Sequence, residues 1–252
     1  MQRKTKYFMI KVSIITVTHN CIDNLRKTLE ALEIQDYANI ESIIVDGGST
    51  DGTVELIKDF ANRFHGEVKW VSERDDGIYD ALNKGIKMST GDVIGCYWDV
   101  FTSGDVISKI VKAFNQNPDA DGVHSDLNYI DNGKVIRRWK MGEGKIKNGW
   151  IPGHPTLYLR RSVYDKYGVY KSDYGVYGDY EFMVRCLSDG STKLVYIPEN
   201  MVNMYYRGAS NNGINGYIRS IFLATKALRD LRIRHPWMVT FKRILRTAMQ
   251  FM

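Results

Sequence analysis

Four apolar, β-branched runs, each but the last followed by an amphipathic segment, constrain this chain more than any other feature. "KVSIITVTHN" predicts a buried strand over Val12–Val17. "CIDNLRKTLEALEIQ" then places Ile22, Leu25, Leu29, Leu32 and Ile34 at helical spacing, with a cap expected near Asp23. "IESIIVDGG" with "STDGTVELIKDFANRF" repeats the pair, "EVKWVSE" with "GIYDALNKGIKMS" repeats it again, and "DVIGCYW" supplies a fourth strand. Such alternation through short loops predicts an α/β fold: a mostly parallel, Rossmann-like sheet flanked by helices. Ligands of such sheets bind where the strands' carboxyl ends open. Those ends carry Thr18, His19 and Asn20, then Asp46, then Glu73 and Asp75, then Asp99. Four strands therefore turn polar side chains toward one rim.

Beyond residue 120 the rhythm loosens. Residues 121–140 read as two short antiparallel strands turning at Asn132-Gly133. A Gly-rich loop, "MGEGKIKNGWIPGHP", precedes "TLYLRRSVYDKYGVY", the helical "YGDYEFMVRCLSDG" and a last strand in "KLVYIPENMVNMYY". No linker, repeat or low-complexity tract divides the chain, so one domain is expected over residues 1–218, with a basic helical extension over 219–252. In that extension apolar and basic residues recur at helical spacing around Pro236, and Asp230 is its one acid. Two readings stand: contact with an anionic membrane surface, or a packed terminal helix with a solvated basic face. No nucleic-acid-binding motif accompanies the charge, so no nucleic-acid partner is expected.

Composition narrows the class. A chain of 252 residues with 44% hydrophobic and 25% charged residues suits a soluble enzyme-sized domain. The 16 tyrosines and 5 tryptophans suit a sugar-stacking surface or a well-packed core equally. Cys21, Cys96 and Cys186 follow no metal-ligand spacing and read as thiols of a reducing, cytoplasmic compartment. The opening "MQRKTKYFMIKVSIITVTHN" has a basic head and an apolar run. Lys11 breaks that run and no small-residue cleavage site follows, so it reads as the first strand. No stretch reaches the roughly 18 apolar residues of a membrane span.

"VSIITVTHN", "ESIIVDGGSTDGTVELI", "SERDDGIYDALNKGI", "STGDVIG" and "GDYEFMVR", five blocks in order from about Lys11 to about Gly208, resemble the family 2 glycosyltransferases of the GT-A fold. The resemblance is strongest to bacterial enzymes of cell-surface polysaccharide biosynthesis. It implies inverting transfer from a nucleotide-diphosphate sugar, with a UDP-sugar favoured, to a glycan or polyprenyl-linked acceptor. A divalent cation, Mn²⁺ or Mg²⁺, is implied; the expected location is cytoplasmic, peripheral at the inner face of the cell membrane if residues 219–252 make the membrane contact. Thr16 and Thr18 match positions that line the nucleoside, and Asp46 matches the acceptor of a uracil-like NH. Asp75 falls in the block that carries the nucleotide-side acid, and Asn83 with Lys84 matches the element beside the nucleotide. Lys84 brings a point charge to phosphate, although Asn83-Lys84-Gly85 reads equally as a helix C-cap with a left-handed glycine.

The family's metal-binding strand end usually carries a DxD-like acid pair. Here "GCYWDVFTSGD" is shorter and keeps Asp99 alone in register, with Asp105 read as capping the next helix. One carboxylate suffices when the diphosphate and waters complete the shell; the competing reading is a plain loop aspartate. Asp179 matches the general base at a helix start, and reads otherwise as an N-cap. His154 matches an acceptor-side position or a core histidine, Trp98 and Trp150 suit stacking or packing, and Arg207 lies in the segment that closes over the phosphates. Two alternatives remain. One is a nucleotidyltransferase, which would need a glycine-rich basic loop where "TVTHNCIDN" stands. The other is a catalytically weakened nucleotide-sugar-binding relative.

Overall fold

The computed structural model describes residues 9–205, 213–248 and 250. Its first half follows the alternation. β1 (Val12–Thr18), β2 (Ile40–Asp46), β3 (Glu67–Ser72) and β4 (Val93–Cys96) are linked by α1 (Ile22–Glu33), α2 (Thr53–Arg63) and α3 (Ile78–Met88). These four strands pair in parallel, in the order β3-β2-β1-β4. Register sets Thr18 beside Asp46 and Asp46 beside Ser72, so their carboxyl ends are level.

The second half makes the sheet mixed. β5 (Val100–Phe101) leads to α4 (Val106–Gln116), and β6 (Gly122–Asp131) returns through Asn132-Gly133 into β7 (Lys134–Trp139). Both turn residues have positive φ, 48° and 75°, the conformation an Asn-Gly hairpin turn requires. β8 (Tyr158–Arg160) runs antiparallel between β4 and β6, and β9 (Leu194–Tyr205) runs parallel to β6. β4, β6 and β9 therefore end on the same side, which extends the rim across the molecule. α5 (Arg161–Tyr167), α6 (Gly178–Leu187), α7 (Gly213–Asp230) and α8 (Pro236–Ala248) complete the chain.

Alternation of side chains across the pleat builds one core on each face of the sheet. Val12, Ile14, Ile40 and Ile44 pack with Leu25, Leu29, Leu56 and Phe60. Ile15, Ile43 and Val45 pack with Leu82, Ile86, Val184 and Leu228.

Local details depart from the expectations. Ile34 lies past the end of α1 and is exposed. Asp23 does not cap α1; Asp51, from the loop before α2, accepts the Ile22 amide at 3.0 Å and the Thr53 hydroxyl at 2.6 Å. One carboxylate thus serves the starts of both helices. Asp105 occupies the N-cap position of α4, but its side chain accepts from Ser103 Oγ (2.6 Å) and pairs with Lys109 instead. Gly85 lies inside α3 rather than at its end. The expected division after residue 218 falls within α7, whose Ala224, Ala227 and Leu228 are fully buried.

Candidate active site

The nucleotide side of the rim is organised by Asp46. Its buried carboxylate accepts the amides of Gly48 (3.2 Å) and Ser49 (2.9 Å), the Ser72 hydroxyl (2.6 Å) and the Ser49 hydroxyl. The residue predicted to read a base thus folds its own loop. Over the adjacent Gly47, Asp75 Oδ2 and His19 Nδ1 lie 2.8 and 3.1 Å from where a β-carbon would stand. The absence of a side chain there lets Asp75 and His19 close on one point. Asp75 Oδ1 also accepts the Gly77 amide at 2.9 Å. Thr18 is buried with its hydroxyl 3.1 Å from Cys21 Sγ, and Thr16 is buried with Oγ1 unpartnered. Both threonines sit beneath the rim rather than on it.

Asn83 and Lys84 are committed elsewhere. Asn83 brackets the Tyr170 backbone, donating to its carbonyl at 2.9 Å and accepting its amide at 3.0 Å. This is a brace between α3 and the loop after α5, and the C-cap of α3 falls at Ser89 rather than here. Lys84 pairs with Glu73 (2.9 Å) and Asp80 (3.3 Å), and its hydrogen bond to Glu73 leads in holding its ammonium above the ordinary lysine value.

Across the rim, Asp99 follows β4 and is 3% exposed, with Oδ2 unpartnered. Burial pushes its carboxyl up to about 7, against the opposing pull of the Tyr205 backbone. Leaving such a group charged and unpaired is costly, so the position suits a cation. Among the described residues no cluster of three or more His, Cys, Asp or Glu side chains could hold a metal, so a cation here would need the donor's diphosphate as its other ligand.

Asp179 stands in the first turn of α6, where the helix dipole favours a carboxylate, while Tyr177 takes the N-cap position. Its Oδ1 accepts the Tyr79 hydroxyl at 3.1 Å and the Tyr180 amide at 2.7 Å. Among the described residues Oδ2 makes no hydrogen bond, so it remains open to a proton. Burial, reinforced by the charge of Asp179, raises the Tyr79 phenol far above its ordinary value and keeps it a donor. His154 Nε2 lies 2.8 Å from the Tyr170 hydroxyl with Nδ1 unpartnered, and the Trp98 ring is 5.5 Å away. Burial lowers the His154 imidazole and Asp179 pulls it back up. The Tyr129 phenol, raised by burial, feels both Asp99 and Asp179. Trp150 is buried with its indole NH on the Met141 carbonyl at 3.0 Å, so it packs rather than stacks on a ligand. Arg207 lies outside the described residues.

Tyr79, Tyr129 and Tyr170 were not singled out in the sequence. Tyr79 shares helical spacing with buried Leu82 and Ile86, the signature of a core residue, and its partner lies 100 positions away.

The family described as Glycosyl transferase family 2 matches residues 13–176. An uncharacterised glycosyltransferase of Mycobacterium tuberculosis is 29% identical over 198 residues, covering 69% of this chain and 68% of that protein. A PGL/p-HBAD biosynthesis glycosyltransferase of Mycobacterium bovis is 24% identical over 256 residues, covering 95% and 96%. Among solved structures, S. aureus TarS 1–349 with UDP-GlcNAc superposes with a TM-score of 0.72 at 16% identity, covering 95% of this chain and 73% of that one. The mannosyltransferase PcManGT of Pyrobaculum calidifontis, with GDP-Man and Mn²⁺, gives 0.67 at 20% identity, covering 96% and 75%. The family match spans well over half of the sequence, and the chain belongs to glycosyl transferase family 2, a glycosyltransferase with the GT-A fold.

Proposed function

We propose that this glycosyltransferase moves a sugar from a nucleotide-diphosphate donor, with UDP favoured, to a hydroxyl of a glycan or polyprenyl-linked acceptor. Transfer proceeds with inversion, in surface polysaccharide assembly at the inner face of the cell membrane. One observation carries the reading: Asp179 is held in a helix's first turn with Oδ1 fixed by Tyr79 and Oδ2 open, on the rim that also bears Asp99. In an inverting displacement the acceptor hydroxyl must lose a proton as it attacks the anomeric carbon. Asp179 Oδ2 takes that proton, and the Tyr79 bond fixes the direction from which it does so. His154, buried with Nδ1 unpartnered, offers an imidazole nitrogen on the acceptor side.

On the donor side, Asp46 shapes the loop against which the base lies, with Thr16 and Thr18 supporting the strand beneath. Asp75 faces the ribose, Asn83 sets the wall, Lys84 contributes field from the edge, and Arg207 closes on the phosphates. Asp99 would hold the cation through its orphaned oxygen, and Mn²⁺ or Mg²⁺ there would supply charge that stabilises the departing diphosphate. The bound UDP-GlcNAc of TarS and the GDP-Man and Mn²⁺ of PcManGT support a donor and cation of these kinds.

α8 supports the membrane part of the reading. Trp237, Met238, Phe241 and Leu245 form one outward face of it, each about half exposed, and no acid lies in the helix. Lys242, beside that face, complements an anionic lipid surface.

Thermal unfolding with UDP-GlcNAc, UDP-glucose and GDP-mannose, with Mn²⁺ or with EDTA, tests the donor and the cation together. Stabilisation by one donor that needs Mn²⁺, and loses that need in Asp99→Ala, is expected, because a ligand that binds only the folded chain raises its stability. Equal stabilisation in EDTA removes Asp99 as the anchor, and no stabilisation by any nucleotide sugar removes the donor reading.

A further inference from the structure

A cavity with a volume of about 570 Å³ lies between β7 and α8. Arg138 and Lys140 reach it from one side and Arg243 and Arg246 from the other; no carboxylate lines it. Among the described residues none of these four cations has an acidic partner. Arg243 stacks on the Tyr180 ring at 4.7 Å, yet its buried Nε has no hydrogen-bond partner. A buried guanidinium NH without an acceptor is costly, and an anion in the cavity would satisfy it. The site is also pre-formed. Gly149, at φ 71°, has no side chain, and a β-carbon there would collide with the backbone of Arg243 and Lys242, so α8 seats directly on that loop.

Two relations give the anion a source. Tyr180 follows Asp179 in α6, so Arg243 rests on the helix that carries the base. In addition, Arg243 and Arg246 occupy the face of α8 opposite Trp237, Met238, Phe241 and Leu245. A helix lying on a bilayer by that outward face lifts its inner face by about one helix diameter, ~10 Å. Headgroup layers rise about 5–8 Å above the hydrocarbon, so the cavity stands just above their outer edge, within reach of an acceptor phosphate carried out of the layer.

We propose that this cavity binds the phosphate of a membrane-anchored acceptor, holding its sugar end toward Asp179. The inference rests on the proposed transfer to a lipid-linked acceptor and names the group by which that acceptor is held.

Calorimetric titration with dodecyl phosphate, dodecanol and inorganic phosphate, in the absence of donor, tests it. The wild-type chain should bind dodecyl phosphate. Arg243→Gln with Arg246→Gln should weaken that binding at least tenfold. Arg138→Gln with Lys140→Gln, two exposed positions that leave α8 seated, should also weaken it severalfold, so the test survives misfolding of the first pair. Dodecanol should not bind, and inorganic phosphate should compete weakly. Binding unchanged in both double variants overturns the site. Inorganic phosphate binding as tightly as dodecyl phosphate assigns the cavity to a free anion and overturns the lipid source. Loss of dodecyl phosphate binding beside intact nucleotide-sugar binding removes this subsite alone. The reverse pattern removes the donor reading and keeps the anion site.

Discussion

Two buried carboxylates of one sheet meet opposite conditions, and their neighbours account for the difference. Glu41, at the start of β2, is fully buried; it accepts Lys69 Nζ and Thr90 Oγ1 at 2.6 Å and Ser13 Oγ at 2.7 Å, with Lys11 at 3.1 Å. Burial alone would raise its carboxyl, but the hydrogen bonds from Lys69, Thr90 and Ser13 outweigh it and hold the group well below the usual carboxylate range. Asp99 has a comparable burial and one orphaned oxygen, which is why the first reads as structure and the second as site. Breaking a fully buried pair costs about 3–5 kcal/mol; with both lysines about a quarter exposed, Glu41→Gln should cost about 2–3. Because the folded pKa lies below the unfolded one, this stability is complete above the ordinary glutamate value and drains as pH falls below it. Urea unfolding of both proteins from pH 7 to pH 3 should show the gap closing at the acid end; a constant gap would refute the ionic account.

At the scale of elements, α3 is held so close to β1 that a β-carbon at Gly85 would overlap Ile15 Cγ2. Helix propensity alone favours Gly85→Ala by about 1 kcal/mol. Overpacking against a stiff, fully buried Ile15 costs about 1–3 kcal/mol, which offsets that gain and leaves the variant destabilised by up to about 2. A raised Tm would show that the helix can move away. The strands and helices themselves were legible, because burial on both faces forces continuous apolar runs in β1 and β2 while each helix shows a 3.6-residue period. The rim was legible for the same reason: Asp46 and Asp99 follow those runs directly. The roles within it were not. Asn83 sits in a motif that reads as nucleotide-facing or capping, yet its partner is the Tyr170 backbone, 87 positions on. Asp46 looked unengaged because its donors, Gly48, Ser49 and Ser72, are ordinary loop residues whose amides and hydroxyls carry no sequence signal. β8 was hidden in a three-residue run too short to show a period.

For the whole molecule, the packed reading of the basic tail holds for the inner faces of these helices, and the membrane reading stands as the proposal for the outward face of α8. α7 buries Ala224, Ala227 and Leu228 in the core that also contains Val184, while α8 turns Trp237 and Phe241 outward. Trp237→Ser with Phe241→Ser should therefore reduce binding to phosphatidylglycerol vesicles at least tenfold with little change in Tm. Undiminished vesicle binding would leave the outward face without a membrane role. The sheet's larger consequence is that groups from distant parts of the chain converge: Tyr79 on α3 meets Asp179 on α6, and Tyr129 on β6 feels both Asp179 and Asp99 after β4. That convergence matters chemically only if Asp179 removes a proton in the transition state, an interaction absent from donor binding. The direct measurement is the rate of donor hydrolysis and the donor Kd in wild type and Asp179→Asn, using the nucleotide sugar that stabilises the fold. The hydrolysis rate should fall by about 10²–10⁴ while Kd moves by no more than about twofold. Near-normal hydrolysis in Asp179→Asn, with the donor bound as tightly as before, would contradict the assignment of the base.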